Sequence, residues 1–172
     1  LARAPGSHFR VASNRRHRGG LKHHSAARGL ALTFRPRDQS PTDMLDTFLA
    51  QAWHDHADQP TAVAARLPEG LPLAQDDDGV LRLAALAHHV LGEHLGHWQE
   101  GIAFLARLDE RGVHGPAGAA ALARCRASLR LCEDSADERA ALSASDQCRA
   151  TAMAAANLAA FDTARSTALL QE

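Results

Sequence analysis

The sequence predicts an all-α protein built of stacked antiparallel helical hairpins behind a basic arm, and three observations lead there. Alanine and leucine, the best helix formers, supply much of a hydrophobic fraction of 45%. The strand-favouring set is thin, with five Phe, two Trp and no Tyr. Apolar residues then recur at helical spacing from Met44 onward, and turn signals divide them into runs. Small side chains let helices approach closely, which suits stacked hairpins better than a wide aromatic core. At 172 residues the chain is long enough for one domain with a core of its own.

The net charge of −1 hides a division. Residues 1–37 hold eight Arg and one Lys with no acid, leaving ten basic residues against all 20 acidic ones in 38–172. Residues 1–40 therefore read as a basic, disordered arm and 41–172 as the helical-repeat domain. The arm cannot bury enough apolar surface to offset the entropy of ordering it. Free of acids and rich in Arg, it has the look of an organellar transit peptide or of an upstream extension of the domain. Arg could also neutralise phosphate, but nucleic-acid binding is not the favoured role. Three cysteines (Cys125, Cys132 and Cys148) without a CxxC pair argue against a disulfide framework or a zinc ribbon. Reduced thiols imply a cytoplasmic location. No apolar run reaches the ~18 residues needed to span a bilayer, so no membrane role is expected.

Along the domain, Ser40-Pro41-Thr42-Asp43 is a helix start, and Met44, Leu45, Phe48, Leu49, Ala52 and Trp53 form the stripe behind it. Pro60 opens a second short helix, Thr61–Leu67, with Asp58 as its cap. Pro68, Gly70 and Pro72 predict a loop to about Gln75. Asp76-Asp77-Asp78-Gly79 lacks the alternating ligands and closing Glu of a calcium loop, and reads as a cap with favourable dipole placement. Leu81–Leu108 is the most strongly patterned stretch. It is either two helices folded back at Gly96 or one long helix. Arg111–Pro116 is a stop-turn-start signal. Ala117–Cys132 should be a helix with Leu122, Cys125, Leu129 and Cys132 on one face, the cysteines serving as core fillers. Asp137–Ala160 reads as one long alanine-rich helix and Asp162 starts the last. The closing Leu169–Glu172 carries no capping signal, which is the pattern of a helix that continues.

At an offset of 63 residues, Leu95-Gly96-His97-Trp98-Gln99-Glu100-Gly101 falls on Leu158-Ala159-Ala160-Phe161-Asp162-Thr163-Ala164. The shared grammar is Leu, small, aromatic, small. Leu closes one helix, the small residue permits a tight turn, the aromatic wedges between paired helices, and the next small residue lets backbones approach. This resembles the tetratricopeptide repeat, a helix-turn-helix unit of ~34 residues. Gly96, Trp98 and Gly101 match the turn and second-helix part of that pattern, as do Ala159, Phe161 and Ala164. The first-helix positions depart from it, holding Ala85, His88-His89 and Gly92, and 63 residues fall short of two units. The resemblance implies a right-handed superhelix whose concave face takes a protein or peptide partner. The groove positions would be Leu83, Leu86, Val90, Glu93 and His94, flanked by Arg82 and His89. Trp53, Trp98 and Phe161 would serve packing.

The same stretch carries four of the eleven histidines. On a continuous helix His89, Glu93 and His97 share a face at i, i+4 and i+8, a chemically apt set for Zn²⁺ or Fe²⁺. His94 with His97 is an alternative spacing. The segment is similar to the last metal-binding helix of DinB-like four-helix bundles, where two histidines four apart precede a Gly-Gln step; Glu93 stands in place of the first. A complete site would need another helix, for which His54, His56 and His114 are the candidates. A turn at Gly96 would remove His97 from the face. Signatures for a Ser hydrolase, a Walker loop, HExxH or a dinucleotide fold are absent. The first expectation is therefore a scaffold with no cofactor and no catalysis of its own. The alternative is a metal-binding bundle or metal-dependent enzyme.

Overall fold

Helix α1 (Pro41–Asp55) begins at Ser40, whose hydroxyl accepts from Asp43 N at 3.1 Å while the Asp43 carboxylate accepts from Ser40 N at 3.3 Å. This reciprocal pair satisfies two backbone donors that the helix leaves over. The computed structural model describes residues 40–171, and the expectations for the arm lie outside that range. Leu45, Phe48, Leu49 and Ala52 form the buried stripe of α1, with Trp53 at its edge. Helix α2 (Pro60–Gly70) opens on Pro60 as expected, but its cap position is Gln59, not Asp58, and no side chain caps it. It also runs through Pro68 and tightens into a 3-10 turn at Leu71–Leu73. The expected loop is therefore short. Tertiary contact overrides the breaker here, because Gly70 is pressed against Phe48 and Leu83 so closely that a Cβ would lie 2.8–2.9 Å from their side chains.

The three acids that open α3 (Asp77–Ala87) have three different jobs. Asp76 caps α3, accepting from Gly79 N at 2.8 Å, and Asp78 faces Arg82. Asp77 reaches across to α5 (Pro116–Cys132) and accepts from Gly115 N at 2.9 Å and Gly118 N at 2.6 Å. Gly115 has no side chain with which to cap α5, so a carboxylate from another helix does it, at the positive end of the dipole. That bond ties the start of α3 to the start of α5.

Helix α3 does not run on to Leu108 as one rod. Beyond Ala87 the chain widens into a π turn over His88–His94 and then reverses at Gly96, which adopts φ +64°. His97 N donates to Leu91 O at 2.7 Å and Leu95 N to Val90 O at 3.2 Å, closing the end of the helix. Helix α4 (Trp98–Glu110) then runs back. The two-helix reading holds and the single-helix reading fails. The ring of Phe161 lies over Gly96, where a Cβ would come within 3.2 Å of it, and meets Trp98 edge-on at 6.2 Å. The two aromatics of the offset motif thus touch each other. Gly101 is buried under Leu129, whereas Ala159 and Ala164 are exposed.

The expected helix Asp137–Ala160 is two: a single turn α6 (Asp137–Ala140) and α7 (Ala144–Ala159). Ser143 Oγ accepts from Asp146 N at 3.2 Å and starts α7 afresh, a Ser-x-x-Asp cap inside an alanine-rich run. Asp162 likewise caps α8 (Thr163–Leu169), as expected.

Among the described residues there are eight α-helices and no strand. Helix α5 lies at the centre, packed against α3, α4 and α7; α1 packs on α2 and α3, and α8 on α7. Leucine fills the core, with Leu49, Leu67, Leu105, Leu108, Leu122 and Leu129 almost wholly buried. Leu83, Leu86 and Val90, expected to line a partner groove, are wholly buried too and offer no surface, because α3 has neighbours on several sides. Trp98 bridges to a smaller cluster of Leu131, Cys132, Ala154 and Leu158. Cys125 and Cys132 are free and buried, and burial pushes both thiols up to about 11, which keeps them as inert fillers. No helix among the described residues is long and apolar enough to cross a membrane.

Gly96 and Gly112 both hold positive φ, but a Cβ on Gly112 would meet nothing within 4 Å. Gly112→Ala therefore carries backbone strain alone, about 1–2 kcal/mol. Gly96→Ala carries that strain and must also displace Phe161. Urea unfolding should rank Gly96→Ala as the more damaging, and equal losses would remove the Phe161 contact from the account of this turn.

Candidate metal centre

The wheel of an ideal α-helix keeps His89 and His94 apart: five residues turn about 140° beyond a full circle. In a π turn, residue i+5 bonds back to residue i, so a pair five apart comes to lie one above the other. That is what happens here. His89 Nε2 and His94 Nε2 lie 3.1 Å apart, both part-buried on the outer side of the His88–His94 turn. His56, at the C-cap of α1, completes the group, with ring centroids 5.0 Å from His89 and 5.2 Å from His94. One ring nitrogen from each of the three falls within 4.8 Å of the others.

Two of the three far nitrogens are tied in the way a metal site requires. His56 Nδ1 lies 2.6 Å from Trp53 O, so it carries the proton and leaves Nε2 with a lone pair. His89 Nδ1 lies 2.9 Å from a Glu93 carboxylate oxygen, which fixes the proton there and leaves His89 Nε2 with the lone pair. The 3.1 Å gap between His89 and His94 then holds the proton of His94 Nε2. Moving that proton to His94 Nδ1 leaves three converging lone pairs. Burial, and after it the charges of His89 and His56, push His94 below its ordinary value, with Glu93 opposing. Imidazole rather than imidazolium is thereby favoured at neutral pH.

The indole of Trp53, 38% exposed, covers one side of the group, 5.1 Å from His56 and 5.3 Å from His89. Trp53 thus packs against the histidines and not only against the core. Of the residues singled out in the sequence, His89, Glu93 and His94 are brought together, and Arg82 is not, being held by Asp46 at 2.7 Å and Asp78 at 3.4 Å. His97 leaves the face: it sits beyond the Gly96 turn, exposed, 3.3 Å from Glu100. His54 is exposed, and His114 joins a separate bridge with Asp109 and Arg126. Sequence reasoning placed His56 only in a pool of candidates; no spacing rule connects it to His89 across 33 residues.

Behind the centre lies a second polar group, entirely inside the protein. His88, 4% exposed, places Nε2 2.7 Å from Ser128 Oγ on α5 and 3.2 Å from Asn157 Nδ2 on α7. Ser128 gives its own proton to Cys125 O at 2.8 Å. Burial, with a smaller part from His89, pushes His88 down to about 4, so it is neutral.

Comparison with protein families, with curated proteins and with solved structures gave no match to this chain. The chemistry of the site must therefore be read from its own residues.

His88 gives a pH signature. Its folded value of about 4 lies below the ordinary 6.5, so the unfolded chain binds this proton more tightly. The stability His88 contributes is complete above pH 6.5 and is lost as pH falls from there to about 4, some 3 kcal/mol in all. With chelator present, urea midpoints of the wild type should fall more steeply over that window than those of His88→Gln. Parallel curves would contradict the assignment.

Proposed function

We propose that this chain is a metal-binding helical bundle that holds one divalent transition-metal ion on His56, His89 and His94. The observation that supports it is the convergence of three imidazoles from two separate segments, each able to offer a lone pair while two have their far nitrogens tied. Neutral imidazole suits Zn²⁺, Fe²⁺, Ni²⁺ or Cu²⁺, and a carboxylate behind a ligand is the usual second support. Three protein ligands leave a coordination position open, which is the arrangement of catalytic rather than structural zinc sites. When bound, such an ion supplies Lewis acidity to a water or substrate oxygen. Glu93 would orient His89 rather than coordinate, and Trp53 would exclude water from one side. The free, buried cysteines fit a reducing compartment such as the cytoplasm.

A tetratricopeptide-like scaffold of stacked hairpins in a right-handed superhelix is the second reading, favoured by the edge-on contact of Trp98 and Phe161. Its groove for a protein or peptide would have to rest on Arg82, His89, Glu93 and His94, since the apolar positions assigned to it are in the core.

Zn²⁺ titration of purified protein, followed by calorimetry, decides between them. The metal reading expects one ion per chain. His56→Ala, His89→Ala and His94→Ala should each weaken binding by about 100-fold or more, and Glu93→Gln by about 10- to 100-fold. His97→Ala should change nothing. Affinity should fall as the pH is lowered, because imidazole holds a metal only in its neutral form. A wild type without stoichiometric binding would return the scaffold to first place.

A further inference from the structure

We infer that His88, through its buried contacts with Ser128 and Asn157, is the positioning residue of the metal centre, holding the π turn on which His89 and His94 meet. The inference rests on the metal reading above and adds the part of the protein that builds the site.

A π turn is rare and short because its wider ring packs and bonds less well than an α turn, so something outside the helix must hold it open. The inner side of this one is held at two points. His88, its first residue, is gripped by side chains from α5 and α7, partners 40 and 69 residues away in the chain. Gly92, four residues on, lies against Asn157 and Leu129, where a Cβ would fall 3.0 Å from each. Asn157 therefore touches the turn at both points. The outer side of the same turn carries His89, Glu93 and His94. If the clamp were released and the segment relaxed to α geometry, the two ligands would rotate to about 140° apart and could not share an ion.

The chemistry of the clamp supports the assignment. A buried His–Ser–Asn group must be fully bonded to break even, and an apolar set of the same volume would pack without that demand. What the polar set supplies that leucines would not is a directional hold on one register of the helix.

The test uses the whole chain and Co²⁺ alone as probe. Co²⁺ affinity and ligand-field bands are measured for the wild type and for His88→Leu, His88→Gln and Gly92→Ala, with urea unfolding alongside. Leu108→Ala, a core change on α4, serves as the control for general destabilisation. His88→Leu and Gly92→Ala should lose about 10- to 100-fold in affinity, as other supports of metal ligands do, and shift the bands. His88→Gln, which can keep an N–H near the position of Nε2, should recover most of both. Leu108→Ala should lose stability yet keep wild-type bands and affinity. Independently of metal, the amide of Leu95, bonded to Val90 O, should exchange faster in His88→Leu. Should His88→Leu fail to fold, Asn157→Ala carries the same expectations. A folded His88→Leu with wild-type affinity, bands and Leu95 exchange would overturn the inference while leaving the metal reading intact. A wild type that binds no Co²⁺ would overturn both.

Discussion

The widened turn at His88–His94 is the constraint on which the other features depend. It adds to the end of α3 a segment whose side chains follow neither the α wheel nor a loop, and its two faces do opposite work. Inward, it presents His88 and Gly92 to α5 and α7; outward, it presents His89, Glu93 and His94 toward Trp53 and His56 at the end of α1. The reversal at Gly96 follows from it directly, since the bonds from Leu95 and His97 reach back to Val90 and Leu91. A helix that is wrong by one residue is right for a site that needs ligands five apart.

Such a segment survives only in a frame that cannot adjust to it, and α5 is that frame. Asp77 pins the start of α3 to the start of α5 by two backbone donors, while Ser128 and Leu129, further along α5, meet the turn at its other end. Ion pairs on the outer side of α5 tie it to its neighbours: Arg126 bridges Asp109 on α4 and Glu138 on α6, and Arg124 reaches Asp146 on α7. Burial pushes the Asp109 carboxyl up, but Arg126 and His114 outweigh it and hold the group below its ordinary value. Part-buried pairs that solvent still reaches add little stability singly. Their use is to fix the position of α5 relative to α4 and α7.

Helix existence was legible wherever a cap and an apolar stripe coincided, as at Ser40, Asp76 and Asp162. Boundaries failed where tertiary contact outweighed local preference: Pro68 was tolerated because Gly70 is gripped by Phe48 and Leu83. At Ser143 the signal was present as Ser-x-x-Asp and was masked by the surrounding alanines. The groove assigned to Leu83, Leu86 and Val90 came from the tetratricopeptide pattern, but their side chains are those of a core, and the core takes them. Half of the candidate metal centre could be seen, since His89 and Glu93 are i, i+4 in the sequence. His94 could not be paired with His89 by a rule built on 3.6 residues per turn, and His56 arrives through the packing of α1 on α3, which no local spacing encodes. The histidines therefore looked incidental in the sequence for a physical reason: the geometry that unites them is an exception to the helix that carries them.

Anomalous X-ray diffraction from crystals of the full chain grown with Zn²⁺, collected on both sides of the zinc edge, would locate the ion without reference to any assumed ligand. The geometry calls for one peak about 2.0–2.1 Å from the Nε2 atoms of His56, His89 and His94, with the π turn intact. A peak on His54, His97 or His114 instead, or none at all, would contradict it.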